Sequence, residues 1–417
     1  MDIFDMAKKE FDYTVSMRRH FHEYPESGPA EQVETMAEIT RQLESMKVPY
    51  TVVPGGGILG YLKGAKEGRT VLLRADMDAL PILEAEHNLK GPRICISKIP
   101  GVMHACGHDG HTAMLLTAAR LLKSLERELQ GSVILMFEEG EEGHRNVEKI
   151  CAWFAKEQTK IDTCYASHVR WDIPTGKLSC CPGTAMAGHY HFLLRIKGQG
   201  GHGSRPDLAH STIDCFHEIY SDLETLRLRY VRPDTSLTWS VGSLHAGSRF
   251  NLIPDVLTCE GSIRMTDRVC GAEFFEEFKR IAQAVCPLNY CTFDLEVVER
   301  LLPTVNHPGC RSLFLQAVEQ YLGRDAVYEC KPWMASETFS YLCNMYPGVE
   351  TFVGIQNEAL GSGANHHTPE FDLDEKGLLY GVVAMVGYTL NFLDNPPDTG
   401  DFQPAYESME ALLASLG

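Results

Sequence analysis

The sequence predicts an α/β fold: a mostly parallel sheet with helices on both faces, interrupted by a smaller α+β unit. Three observations carry this reading. Through residues 1–185, short apolar runs of strand length alternate with amphipathic helical stretches. From residue 186 the strands instead alternate apolar and polar residues, and after residue 300 the first texture returns. Strands alternating with helices favour a parallel sheet, whereas apolar–polar alternation favours a sheet with one wet face. The expected organisation is a discontinuous unit, 1–185 and 301–417, carrying an inserted unit, 186–300.

Residues 5–47 read as two helices broken at Tyr24-Pro25-Glu26-Ser27-Gly28-Pro29, a cluster of turn formers. The second, about 30–47, carries Val33, Met36, Ala37, Ile39 and Leu43 at near-helical spacing. Buried strands follow at Ile58–Leu62 and Thr70–Ala75, then a helix over 111–126, a strand at Ser132–Phe137 and another at 162–168, closed by His168. In the insert, strands at 189–197, 235–244 and 256–265 are interleaved with helices near 208–228 and 271–285. The order strand-helix-strand-strand-helix-strand is ferredoxin-like. A helix at 309–322, a strand at 349–355 and a helix at 374–393 complete the larger unit.

Composition narrows the function. The chain has 417 residues, 44% hydrophobic and 23% charged, enough for two packed cores. A net charge of −18 repels phosphate backbones, which argues against nucleic-acid and anionic-membrane partners. No apolar run reaches the ~18–20 residues of a membrane span, and the polar N-terminus lacks a signal-peptide core, so a cytoplasmic protein is expected. The 14 scattered cysteines read as free thiols of a reducing compartment, and adjacent Cys180 and Cys181 cannot bridge without strain.

Chemistry concentrates where apolar runs end. Asp76 and Asp78 follow one strand, and Glu141 and Glu142 follow another. Sites in open α/β sheets form at the carboxyl ends of strands. The densest cluster is His104-Ala105-Cys106-Gly107-His108-Asp109-Gly110-His111, in a glycine-containing turn before a helix. Thiolate and imidazole suit zinc-like metals, and paired carboxylates suit one ligand beside one proton carrier. Any one of these residues alone is more often structural, and His20, His22, His189 and His191 are read that way.

Together these stretches resemble the M20 metallopeptidases, in the amidohydrolase branch that hydrolyses N-acyl amino acids, such as hippurate, auxin-conjugate and p-aminobenzoyl-glutamate hydrolases. The matching segments are RRHFHEYPESG (18–28), LRADMDALPI (73–82), GVMHACGHDGHTAMLL (101–116), the EEG of 141–143 and HHTPEFDLDE (366–375), with GQGGHGSRP (198–206) and FNLIPD (250–255) in the insert.

The resemblance implies a pair of divalent metals, Mn or Zn first with Co or Ni as alternatives, held by Cys106, His108, Glu142, His168 and His367. It implies Glu141 as general base for a hydroxide shared between them. Asp76 and Asp78 would orient the ligands. His202 would reach across a homodimer formed through the insert to stabilise an oxyanion, and Asn251 and Arg264 would hold the substrate carboxylate. The substrate class is a small N-acyl, aromatic-acyl amino acid. Two departures stand out. Glu138-Glu139-Gly140 replaces the usual Gln-Pro-Ala, and Ser336-Glu337-Thr338-Phe339-Ser340 lacks the Asp of Gly-Glu-Asp-Phe-Ser. Competing readings are a dipeptidase or carboxypeptidase, one subunit of a hetero-oligomer, or a cysteine hydrolase using Cys106.

Overall fold

A computed structural model describes residues 2–28, 32–143 and 146–415. Its main sheet has seven strands, in the spatial order Tyr50–Val53, Gly57–Lys63, Gln130–Glu138, Lys66–Asp76, Thr163–Pro174, Gly348–Gln356 and Leu178–Ser179. The four strands from Gln130–Glu138 to Gly348–Gln356 are mutually parallel, and the flanking strands pair antiparallel.

The apolar runs TVLLRA and SVILMF are continuous because both faces of the sheet are covered. Successive side chains of a strand point to opposite faces. Val71, Leu73, Val133, Leu135 and Phe137 enter one core, built with helices His108–Ser124, Pro308–Leu322 and Lys376–Asp394. Leu72, Ile134 and Met136 enter a second core beneath helix Val147–Glu157. Helix Lys376–Asp394 is long and apolar enough to cross a membrane, but 78% of its most apolar window is buried within the fold. It is a core helix.

The second sheet is drawn wholly from the insert. Its order is Leu237–Ala246, Val256–Met265, Gly188–Lys197 and Thr292–Leu301, every pair antiparallel. Helices Thr212–Arg229 and Arg268–Leu288 cover the face bearing Tyr190, Phe192, Leu194 and Ile196, giving the ferredoxin-like arrangement its own core.

Several boundaries differ from the sequence reading. The first helical stretch is two helices, Ile3–Lys9 and Phe11–Glu23. The next runs Val33–Ser45; Pro29 and the expected helix start at 30–31 lie outside the described residues. Helix Val147–Glu157 and strand Tyr50–Val53 were not anticipated. His168 does not close its strand: pairing with Gly348–Gln356 carries that strand on to Pro174, so His168 projects from its interior.

Candidate active site

Parallel strands deliver their functional groups to one edge. Asp76 sits opposite Glu138 in the register of the two central strands, and His168 projects from the adjacent strand. Between Cys106 and His108 the backbone turns left-handed at Gly107, with φ 95°, where a Cβ would collide with Val169. Only glycine fits this turn, which aims Cys106 and His108 at the same side. His367 is held at φ 61°, a region costly for a residue with a Cβ, and its N–H donates to Ala105 O at 3.0 Å.

Hydrogen bonding sorts the imidazoles. His168 Nδ1 donates to Val169 O at 2.6 Å, leaving its Nε2 lone pair 3.4 Å from Cys106 Sγ. His108 Nδ1 meets Asp78 Oδ1 at 3.2 Å, and its Nε2 is buried without a hydrogen-bond partner. That nitrogen lies 4.0 Å from Glu142 Oε1, which in turn lies 3.0 Å from His367 Nε2. Anchoring Nδ1 and freeing Nε2 is how metal-binding histidines are held. His111 is different: Nε2 accepts from Val169 N–H at 2.9 Å and Nδ1 donates to Asp76 at 2.6 Å, so both nitrogens are committed. His104 is buried and stacks toward His22 rather than joining the cluster.

The ligand-type atoms of Cys106, His108 and His168 lie within 4.8 Å of one another, as do those of Cys106, Glu142 and His367, and those of His108, Glu141 and Glu142. Soft sulfur, imidazole nitrogen and carboxylate oxygen, with an orphaned buried Nε2 between them, fit divalent transition metals. Asp78 fixes the acidic turn by accepting from both Glu141 N–H (3.1 Å) and Glu142 N–H (3.0 Å) while it faces His108. Asp76 is spent on Arg74 (2.7 Å) and His111.

The electrostatics favour a cation here. Burial opposes charge on His108, but Asp76, Asp78 and Glu142 outweigh it and raise its pKa to about 10. Burial, with His111 and His366 nearby, holds His168 well below the usual imidazole range, so it stays neutral. Burial, Glu142 and Glu141 push the Cys106 thiol well up, the opposite of what an unaided thiolate nucleophile needs. Burial, Glu337 and Glu142 raise the Glu141 carboxyl well above its usual range, and Thr338 N–H donates to its Oε1 at 3.1 Å.

Cys106, Glu141, Glu142, His168 and His367 line a cleft of about 480 Å³. Its walls add Met186, Trp333 and Met334, which the sequence reading did not single out, and His366, the neighbour of the chosen His367. The Trp333 ring stands 5.2 Å from His168 and 4.9 Å from His366. Arg264 reaches the cleft from the inserted sheet, and its Nη1 donates to Ser336 Oγ at 2.8 Å. His189, read as structural, contacts the same hydroxyl at 2.9 Å. Nothing in local pattern marks Trp333 or His189, because each is brought to the cleft by chain distant in sequence.

His202 and Asn251 do not reach this cleft. They sit together on a short exposed ribbon in which Gly201–His202 pairs with Leu252–Ile253, next to the fully exposed Phe250. Gly203 lets the two backbones close, its N–H donating to Asn251 O at 2.9 Å.

With this geometry in place, residues 72–391 match peptidase family M20/M25/M40. The chain belongs to that family. This M20 chain is 36% identical over 402 residues to IAA-amino acid hydrolase ILR1-like 5 of Arabidopsis thaliana, covering 93% of this chain and 89% of that one. It is 31% identical over 396 residues to thermostable carboxypeptidase 1 of Saccharolobus solfataricus, covering 92% and 97%. The crystal structure of the Bacillus subtilis YXEP protein, described as a dinuclear metal binding peptidase from the M20 family, superposes with a TM-score of 0.76 at 26% identity, covering 93% and 99%. The M20 chain is a metal-dependent amidohydrolase.

Proposed function

We propose that this enzyme cleaves the amide bond of small N-acyl amino acids, releasing a carboxylic acid and a free amino acid. The observation that carries the reading is the convergence of Cys106 Sγ, His168 Nε2, His108 Nε2, Glu142 Oε1 and His367 at the cleft, with both inner imidazoles anchored through Nδ1. These five residues would hold two divalent cations, Mn or Zn first and Co or Ni as alternatives. When bound, the cations supply Lewis acidity toward an amide carbonyl and lower the pKa of a water molecule.

The chain's own residues do the rest. Glu141 takes the proton of the attacking water and passes it to the leaving nitrogen; its raised pKa suits a group that must both accept and release a proton. Asp78 and Thr338 keep Glu141 in register through backbone hydrogen bonds. Arg264 holds the substrate carboxylate, with the fork geometry that suits it. Trp333, Met186 and Met334 form an apolar wall that receives an aromatic acyl group.

Residues 1–185 and 301–417 form the catalytic domain, and 186–300 a lid through which two copies associate. The exposed ribbon supports this, because His202 and Asn251 need a second chain to meet a cleft. The cytoplasm is the proposed compartment. The carboxypeptidase relative supports a second reading in which the acyl group is itself a peptide.

A panel of N-aroyl, N-acetyl and peptidyl amino acids, assayed beside metal analysis of the purified protein, tests both readings. Preferred turnover of N-aroyl substrates, lost on chelation and restored by divalent metal, is expected. Turnover confined to peptides would favour the second reading.

A further inference from the structure

Free cysteines approach one another at several places outside the cleft, among them Cys164 with Cys343 and Cys215 with Cys291. Cys215 and Cys286 lie 3.6 Å apart, both fully buried in the core of the insert. Cys181 and Cys330 lie 3.4 Å apart and differ in every other respect. Cys330 is half-buried, on the segment that leads into Trp333, whereas Cys181 is enclosed. Two donors face the Cys330 sulfur, Ser179 Oγ at 3.1 Å and Arg170 Nη1 at 3.4 Å, and the Cys181 sulfur touches it while also lying 3.5 Å from Cys330 O. The guanidinium is fixed in place by Asp172 at 2.8 Å and by Lys331 O at 3.0 Å. A reachable sulfur facing two donors, one of them a cation, is the environment of a reactive thiolate, and a buried thiol in contact with it is placed to resolve an oxidised form.

We propose that Cys330 is a peroxide-modification site of this enzyme and that Cys181 converts the product into a disulfide. The Cys330 thiolate attacks one oxygen of hydrogen peroxide. The O–O bond breaks, the departing hydroxide takes a proton to become water, and Cys330 becomes a sulfenic acid. Cys181 then attacks the Cys330 sulfur. The S–S bond forms, the S–O bond breaks and a second water leaves. Two thiols are oxidised by two electrons in all, and one peroxide is reduced to two waters. The sulfurs must close from 3.4 Å to about 2.05 Å, a movement within side-chain reach.

The contact with Cys181, then the Ser179 hydrogen bond and the charge of Arg170, outweigh burial and bring the Cys330 thiol below its usual value. Neighbouring Cys180 is no competitor as a resolving thiol: it is buried against Asn306 Nδ2 at 3.3 Å. The inference does not depend on the substrate or the metals.

The test treats the full-length protein with hydrogen peroxide, quenches with an alkylating reagent and maps the peptides by mass. A Cys181–Cys330 linked peptide, two hydrogens lighter than the sum of its parts and split by dithiothreitol, should form before any other cysteine is oxidised. In Cys181→Ser the sulfenic acid at Cys330 should be trapped by a dimedone probe, and in Cys330→Ser the Cys181 thiol should stay reduced. Ser179→Ala, which removes one donor, should slow the reaction several-fold. Bridging of Cys215 to Cys286 at an equal or faster rate would overturn the proposal, because proximity alone would then suffice. Quantitative alkylation of Cys330 after peroxide treatment would also overturn it.

Discussion

The Thr338 hydroxyl donates to Glu138 Oε1 at 2.6 Å beside the buried guanidinium of Arg74, which reaches Glu138 at 2.7 Å and Thr338 Oγ1 at 3.0 Å. Glu138 and Thr338 are two of the positions at which the sequence departs from the motifs it resembles, Glu for Gln and Thr for Asp. The two side chains touch, and Arg74 also pairs with Asp76 at 2.7 Å and Glu337 at 2.9 Å. The Thr338 N–H in turn donates to Glu141 Oε1 at 3.1 Å.

The shared contact of Glu138 and Thr338 with Arg74 predicts strong coupling. Thr338→Asp alone adds a third acid beside Glu138 and Glu337, and Glu138→Gln alone removes a partner of buried Arg74. Each should lower the urea midpoint and turnover. The double variant should recover, with a coupling energy of about 1–3 kcal/mol. Denaturation and kcat across the four-member cycle measure it. Additive losses would show that the two sites are independent.

A second prediction concerns His22, buried between Asp109 Oδ2 at 2.8 Å and Glu84 Oε1 at 2.9 Å. Burial and Arg18 disfavour its charge, but hydrogen bonds to both carboxylates outweigh them and raise its pKa above 6.5. A raised pKa stabilises the fold below the unfolded value of about 6.5, and that contribution is lost as pH climbs through the folded value. His22→Gln should therefore cost most below pH 6.5, on the order of 3 kcal/mol. The gap to wild type should narrow as pH rises. Urea midpoints across pH check the sign; a gap that widens with pH would refute it.

The fold was legible where one physical signal dominated. TVLLRA and SVILMF are buried on both faces, so continuous hydrophobicity marked them as central strands. His189–Lys197 and Val256–Met265 alternate because one face carries the insert's core and the other is wetter. The end of the strand bearing His168 was hidden, because Arg170 and Asp172 are polar and their place in the strand comes from pairing with Gly348–Gln356. The site was legible in its turns: Cys106, Gly107 and His108 are local, and so are Glu141 and Glu142. Trp333, Ser336 and His189 were not, since their roles arise from contacts between segments far apart in the chain.

Shared active sites make a third prediction. If His202 serves the cleft of a second copy, Glu141→Gln and His202→Ala chains, each inactive, should regain activity when mixed under conditions of subunit exchange. Mixed dimers would carry one intact site. Exchange confirmed by mass labelling, with no activity recovered, would place His202 outside the reaction.

In the proposed mechanism Glu141 moves the proton while Cys106, His108, Glu142, His168 and His367 hold the metals. This division of roles is tested most directly by measuring bound metal and turnover together in Glu141→Gln. The expected result is wild-type metal content with turnover reduced on the order of 10²–10⁴-fold, the scale of acid–base catalysis. Loss of metal in step with turnover would make Glu141 a ligand, and near wild-type turnover would remove it from the mechanism; either result contradicts the proposal.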